Sequence, residues 1–272
     1  MQQVIDGTTT MFQYLYDAEG NRVAKGTITS FSCDNSINQS TGRPNNGFLA
    51  TAAFVLGPRG EQMTEMTNNS GTWQWAHTNV DAAGLSATYD ADPTGQTEGP
   101  VYFHLFDWLG TRRQQTDYAG NPVINFTSLP FGDGLAPIAV STTDVADSTE
   151  HHFTGKERDA ESGNDYFGAR YYASSMGRFM SPDWSAKEEP VPYAKLADPQ
   201  SLNLYVYVLN NPLNHVDLDG HTCKAGDWGC NAWNAAAQNW NQVHQIVSTA
   251  ANKVLSYGYA KGGNGQGIGV ND

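Results

Sequence analysis

Charged side chains are scarce in this chain, since Asp, Glu, Lys and Arg together make up only 16% of its 272 residues. Long apolar runs are missing as well. A membrane-spanning helix needs roughly 18 or more consecutive apolar residues, and no such run occurs. The start, MQQVIDGTTTMFQYLYD, has no basic region followed by an apolar one, so we expect no signal peptide there.

Cysteine is also rare, with three residues in the whole sequence, which is too few for a disulfide scaffold. Cys223 and Cys230 flank the segment KAGDWG, and the sequence leaves open whether they close a small loop or stay free thiols. Cys33 has no evident partner. No set of Cys and His has the spacing of a zinc site, and the pair His151–His152 is typical of a loop. The sequence therefore predicts no metal and no cofactor.

Acidic residues outnumber basic ones: the chain has 28 Asp and Glu but only 15 Lys and Arg, which gives a formal net charge of −13. Phosphate binding requires clustered Lys and Arg, so this balance argues against a nucleic-acid partner. Aromatic residues and glycine are plentiful instead, at 11% Phe, Trp and Tyr and 28 glycines. That composition favours many short strands joined by tight turns.

A recurring unit fills residues 1–135: an aromatic or apolar strand, a turn of the form D-x-x-G or G-x-x-G, and a second strand. FQYLYDAEGNRVAKGTI has its turn at Asp17–Gly20, and FVLGPRGEQMTEM has one at Gly57–Gly60. FHLFDWLGTRRQQTDYAGNPVINF supplies two more, at Asp107–Gly110 and Asp117–Asn121. Asp accepts backbone hydrogen bonds in such turns, and Gly takes the positive φ that closes them. The pattern predicts antiparallel hairpins.

The segment 151–220 carries motifs of a different kind, in the order GKERD, YFGARYY, GRFMSPD and NNPLNHVD. This order resembles the core domain associated with Rhs repeats, and YDAEGNRV resembles the YD repeat of the same family. The resemblance implies a mainly β fold: a curved antiparallel sheet of hairpins forming part of a β-shell. DYFGARYYA and NLYVYVL are expected to add strands, whereas Ala136–Glu150 is expected to be a connector.

The periodicity changes within the remaining segment, 221–272. Apolar residues spaced three and four apart predict one helix at about 231–256, which would be the longest of the chain. This stripe begins with Trp233 and Trp240 and ends before Gly258. Few charges flank it, so we expect the helix to pack on the end of the β-structure and bury both tryptophans.

In Rhs proteins the matching core acts as an aspartyl self-cleaving site. Carried over by motif, the resemblance implies a catalytic pair, Asp183 and Asp217, a supporting Arg170, and a cut near Gly220 and His221. The chain departs from the family pattern D-P-x-G, because neither Asp is followed by proline. An insertion containing KEEPVP also lengthens the spacing, although loop length costs little closure entropy. The alternative is that both Asp residues merely cap turns.

The resemblance implies three possible functions. The first is the terminal segment of an Rhs-type β-shell that encloses or presents a C-terminal cargo, in bacterial antagonism or toxin delivery. The second is a self-processing protease that cuts itself once, with no enzyme activity on other molecules. The third is a surface adhesin or filament subunit. Its partners would be its own C-terminal tail, another YD-repeat polypeptide, or an immunity or secretion protein, and its location would be secreted or at the cell surface.

Overall fold

The computed structural model describes residues 2–5, 10–32, 34, 36–58, 60–82, 85–91, 99–140, 147–184, 191, 195 and 197–221. Within these ranges the chain is mainly β, with two antiparallel sheets and a few short 3-10 helices. None of the helices in these ranges is long and apolar enough to cross a membrane. The helix predicted at about 231–256 and all three cysteines lie outside the described residues.

The larger sheet has eleven strands in sequence order, each antiparallel to the next. This arrangement confirms the predicted succession of hairpins. It also corrects one expectation, because the segment predicted as a connector from residue 136 begins with an edge strand. The strands are β1 (Gln2–Ile5), β2 (Met11–Tyr16), β3 (Arg22–Ile28), β4 (Leu49–Leu56), β5 (Gln62–Asn69), β6 (Thr72–Ala82), β7 (Leu85–Asp90), β8 (Val101–Phe106), β9 (Arg112–Thr116), β10 (Pro122–Thr127) and β11 (Ala136–Ala139).

The predicted turns close in the expected way. Asp17 Oδ1 accepts a hydrogen bond of 2.7 Å from the backbone N–H of Asn21, while Gly20 adopts a φ of +87°. Asp117 repeats the arrangement, with its Oδ1 2.8 Å from the N–H of Asn121. A carboxylate that accepts backbone donors satisfies the turn, and glycine takes a left-handed conformation that costs other residues energy.

The smaller sheet has four short strands: β12 (Glu157–Arg158), β13 (Asp165–Tyr166), β14 (Tyr171–Ala173) and β15 (Arg178–Phe179). Short 3-10 helices lie at Phe153–Gly155, Ser174–Met176, Pro199–Leu202 and Val208–Asn210. The strands predicted in DYFGARYYA are therefore present.

The strand predicted in NLYVYVL is not formed. Val206 makes one isolated bridge to Arg178, and Val208 and Leu209 have φ values of 41° and 54°, which bend the chain. Burial explains the difference, because Val206, Tyr207 and Val208 are all buried and the bend turns consecutive residues inward.

An aromatic core supports the smaller sheet. Tyr172 and Tyr207 are fully buried with their ring centroids 4.7 Å apart, and further aromatic rings surround them. Burying each such side chain contributes about 1.5–3 kcal/mol, so this cluster is a major source of stability for the segment. Its members are Phe153, Phe167, Tyr172, Phe179, Tyr207 and Val208.

The two sheets join through β14 and a buried arginine. Tyr172 faces the aromatic core, while its neighbour Tyr171 faces the larger sheet and stacks on Tyr14 at 5.9 Å. Both faces of β14 are therefore buried. Arg22 of β3 extends across the joint and contacts Glu157 at 2.5 Å and Asp159 at 2.7 Å.

Candidate functional site

Three of the predicted site residues meet at one buried point. Arg170 lies between β13 and β14, and its Nη2 is 3.4 Å from Asp183 Oδ2 and 3.7 Å from Asp217 Oδ2. All three residues are almost completely buried, at 2–4% exposure. The distances exceed those of charge-assisted hydrogen bonds, about 2.7–2.9 Å, so these contacts are ion pairs at slightly longer range. The Nη2 atom of Arg170 is thus in ion-pair contact with both carboxyl groups.

The other nitrogens of Arg170 hold it in place. Its Nε donates a hydrogen bond to the carbonyl oxygen of Gly220, and its Nη1 donates one of 3.0 Å to the carbonyl of Leu204. The guanidinium carbon also lies 3.6 Å from the ring centroid of Phe179, in cation–π contact. The side chain therefore has a single fixed orientation.

The insertion after Asp183 does not separate the site. The N–H of Asp183 donates a 2.9 Å hydrogen bond to the carbonyl of Leu204, the same oxygen that Arg170 binds. The chain therefore returns beside Asp183 once the insertion is complete. This agrees with the small entropic cost of a longer loop whose ends stay fixed.

Asp217 shapes the turn that carries the predicted cut. Its Oδ1 accepts hydrogen bonds from the N–H of Gly220 at 2.7 Å and from the N–H of Asp219 at 3.1 Å. Gly220 has a φ of +85°, and a Cβ there would lie 3.0 Å from the backbone N of Arg170. Glycine is thus required by both conformation and close approach. Burial raises the pKa of Asp217 to about 6, against the opposing effects of these hydrogen bonds and of Arg170.

Asp183 contacts the residue on the other side of the predicted cut. Its Oδ1 accepts a 2.8 Å hydrogen bond from the N–H of Trp184 and lies 2.9 Å from Nδ1 of His221. The His221 ring packs edge-on against Trp184, with centroids 4.8 Å apart. The sequence indicated His221 only as the residue after the predicted cut, and its contact with Asp183 was not predicted. Its place next to Gly220 was the only signal for it.

The structure therefore brings all five predicted residues together: Arg170, Asp183, Asp217, Gly220 and His221. Asp217 also caps a turn, and Asp183 accepts the N–H of the next residue, so structural roles are present alongside any catalytic one. Chemically, a carboxyl with a pKa near 6 beside a second carboxyl can hold a proton while its neighbour stays ionised. The Arg170 N–H on the Gly220 carbonyl is placed to stabilise negative charge on that oxygen. The catalytic role itself stays a prediction.

A cavity of about 880 Å³ borders the site. Trp184, Asp219 and His221 form one part of its wall, and residues of the larger sheet such as His104 and Arg112 form another. The lining is mixed, with polar and apolar surface from both sheets. The predicted cut therefore lies at the edge of a cavity lined by both sheets.

Comparisons with known proteins identify relatives. No protein-family model matches the chain. The tRNA nuclease WapA of Bacillus subtilis (strain 168) is 27% identical over 224 residues, 76% of this chain and 9% of the relative. The toxin subunit YenC2 of Yersinia entomophaga is 37% identical over 91 residues, 34% of this chain and 8% of that subunit. The chain thus spans less than a tenth of the length of these relatives.

Solved structures show the same fold. The crystal structure of TcdB2–TccC3 matches 78% of this chain and 9% of its own chain, with a TM-score of 0.52 and 22% identity. At that identity the likeness concerns the fold alone. The chain is thus similar in sequence to parts of WapA and YenC2, and in fold to part of the TcdB2–TccC3 structure.

Proposed function

We propose that this chain forms part of the wall of an Rhs-type β-shell that encloses or presents the segment after Gly220, in bacterial antagonism or toxin delivery. The sequential antiparallel sheet and the large cavity between the two sheets support this proposal. The names of the relatives, which include toxin subunits and tRNA nucleases, support a toxin-related role. Such a protein acts outside the cell that makes it, so we expect secretion or surface display.

We further propose that the chain cuts itself once, between Gly220 and His221. The observation that carries this proposal is the contact of one buried arginine with both carboxylates and with the Gly220 carbonyl. In the reaction, water adds to the Gly220 carbonyl carbon while an ionised carboxylate takes its proton. The protonated carboxyl then gives its proton to the departing nitrogen of His221, and the C–N bond breaks. The products are a Gly220 carboxylate and a free His221 amine.

The roles within the pair follow from their surroundings. Asp217 is the proton-holding member, since burial raises its pKa to about 6. We assign Asp183 as the proton-accepting member, because its Oδ1 accepts from Trp184 N–H and lies beside His221 Nδ1 at the predicted cut. Arg170 Nε stabilises the charge that develops on the Gly220 oxygen. In other enzymes, removing one such hydrogen-bond donor slows the reaction about 10²–10³-fold.

The test is the fate of the purified chain on a denaturing gel, with mass spectrometry of the fragments. We expect a fragment ending at Gly220, and its loss in the Asp183→Asn and Asp217→Asn variants. Asp117→Asn is the matched control, because Asp117 also caps a turn but lies away from the site. Melting temperatures of all variants separate lost chemistry from lost folding. Cleavage that persists in a folded Asp217→Asn variant would contradict the assignment.

One observation favours a second function, assembly through sheet edges. All four residues of the edge strand β11 are exposed, and Ile138 is 51% exposed. An open edge strand offers unpaired backbone groups to a neighbouring chain. A surface adhesin or filament subunit, or a second YD-repeat polypeptide, would pair there. Light scattering of the purified chain decides: a monomer across concentrations argues against self-pairing, and growing assemblies that Ile138→Lys abolishes support it.

A further inference from the structure

A second cluster of chemical groups lies far from Arg170, in the larger sheet. Glu65 of β5 and His77 of β6 are direct cross-strand partners. Glu150, from the segment that leads into the smaller sheet, completes the group. One carboxylate oxygen from each Glu and one ring nitrogen of His77 all lie within 4.8 Å of one another.

Two members of this cluster are buried without a hydrogen-bonding partner. Glu65 and His77 are each 8% exposed. In the part of the chain that the structure describes, neither side chain makes a hydrogen bond. Buried polar groups in proteins are usually hydrogen-bonded. A pair of buried side chains without such bonds is therefore a place where a ligand can bind.

The space between these groups is a narrow gap. Glu65, His77, Glu150 and His151 line it together. Bonds from Zn²⁺ to nitrogen or oxygen are about 2.0–2.2 Å, so only side-chain-scale movement is needed to bring the three ligand atoms onto one cation.

We propose that Glu65, His77 and Glu150 bind a divalent transition-metal cation of the Zn²⁺ class. Two carboxylates neutralise the charge of the ion, and an imidazole with carboxylates is a donor set that Zn²⁺ accepts. His151 also lines the gap, and its Nδ1 lies 3.0 Å from the carbonyl oxygen of Gly155.

The electrostatics of the gap agree with this geometry. Burial and the nearby Glu150 raise the pKa of Glu65 to about 7, and burial lowers the pKa of His77. A neutral imidazole is the form that binds metal. The cationic groups Lys25 and Arg22 oppose the shift of Glu65, while Glu157 adds to it. The ion would link β5 and β6 to the segment that leads into the smaller sheet. It would therefore be a structural connection between the two sheets.

The test uses the full chain, stripped with a chelator and titrated with Zn²⁺, Co²⁺, Ni²⁺ and Mn²⁺ by calorimetry. We expect one high-affinity ion per chain. At a concentration about 100 times the dissociation constant, the melting temperature should rise by about 5–10 °C. Glu150→Gln, at a half-buried position, should weaken binding at least about tenfold without unfolding the chain. His77→Gln should remove the high-affinity site.

Two controls separate this site from other donors in the chain. His215→Gln changes a histidine elsewhere and should leave the affinity unchanged. A Cys223→Ser, Cys230→Ser double variant should also bind normally, and the Co²⁺ spectrum should lack a thiolate charge-transfer band. The proposal is overturned if none of the four cations binds. It is equally overturned if binding survives in Glu150→Gln and His77→Gln, or is lost with the cysteines.

Discussion

The Nε of Arg170 donates a hydrogen bond to the carbonyl oxygen of Gly220, which lies 50 residues further along the chain. The same guanidinium contacts Asp183 and Asp217 through Nη2. A single buried cation therefore contacts two carboxyl groups and also orients the peptide bond that we propose is cut. These contacts are made by different nitrogens of one planar group, so a substitution that keeps the charge but changes the shape can test them.

Arg170→Lys keeps the charge but loses the planar fork. Lysine has one nitrogen, so it cannot contact Gly220, Leu204 and both carboxylates together. We expect self-cleavage to slow by at least about 10²-fold. Breaking a buried ionic cluster costs about 3–5 kcal/mol, so the free energy of unfolding in urea should fall by that order. Arg178→Lys, at an exposed position of β15, is the control. It should leave the cleavage rate unchanged and the free energy of unfolding within about 0.5 kcal/mol. Unchanged cleavage in Arg170→Lys would remove Arg170 from the mechanism.

The proximity of the predicted site residues follows from ordered motifs, while their catalytic role stays a prediction. Arg170, Asp183 and Asp217 each stand in a separate motif of the sequence, and the fold brings the three motifs together. The antiparallel hairpins were equally predictable, since Asp17 and Asp117 carry the turn chemistry locally. These features depend on short-range geometry or on the family resemblance.

Other features depend on tertiary contacts that local patterns do not record. NLYVYVL alternates like a strand, yet the aromatic core draws Val206, Tyr207 and Val208 inward through positive-φ residues. The sequence did not predict the Glu65–His77–Glu150 cluster, for a related reason. A predicted β5–β6 hairpin could have paired Glu65 with His77, but nothing local links either residue to Glu150.

A substitution of Arg22 tests how much the contact between the two sheets contributes to stability. It is 1% exposed and pairs with Glu157 at 2.5 Å and Asp159 at 2.7 Å. Arg22→Gln would leave two buried carboxylates without their cation, so we expect a loss of about 3–5 kcal/mol in the free energy of unfolding. Arg43→Gln, in the exposed loop before β4, is the control and should stay within about 0.5 kcal/mol. Equal stability of the two variants in urea titrations would show that the joint does not depend on this cluster.

A substitution of Gly26 tests whether β3 and β4 must approach each other closely at this position. A Cβ at this position would lie 2.2 Å from the carbonyl oxygen of Leu49, which is backbone and cannot rotate away. We expect Gly26→Ala to separate the strands locally and to cost about 2–4 kcal/mol. Gly42→Ala is the control, because a Cβ there meets open space and only the φ of +66° opposes it, at roughly 1 kcal/mol. Thermal unfolding of both variants measures the difference, and a smaller effect at Gly26 than at Gly42 would contradict the argument.

The pH dependence of self-cleavage follows from Asp217. Burial raises the pKa of its carboxyl from 3.8 to about 6, so the proton that the reaction needs is present below that pH and lost above it. We expect the rate to fall about tenfold per pH unit above roughly pH 6. The same shift affects folding. Because the folded pKa is the higher one, the stability contribution is full below pH 3.8 and is lost as pH rises through about 6.

Time courses of fragment formation on gels, from about pH 4 to pH 8, measure the profile. Asp117→Asn should leave it unchanged, because that exposed carboxyl has a pKa already lowered by its hydrogen bonds to Asn121 and takes no part in the site. Urea titrations over the same range should show that replacing Asp217 by Asn makes the decline in stability between about pH 4 and pH 6 smaller, since the amide has no proton to lose. A cleavage rate that climbs steadily to pH 8 would mean that the reaction needs no protonated Asp217, and the assignment of this carboxyl as the proton donor would be wrong.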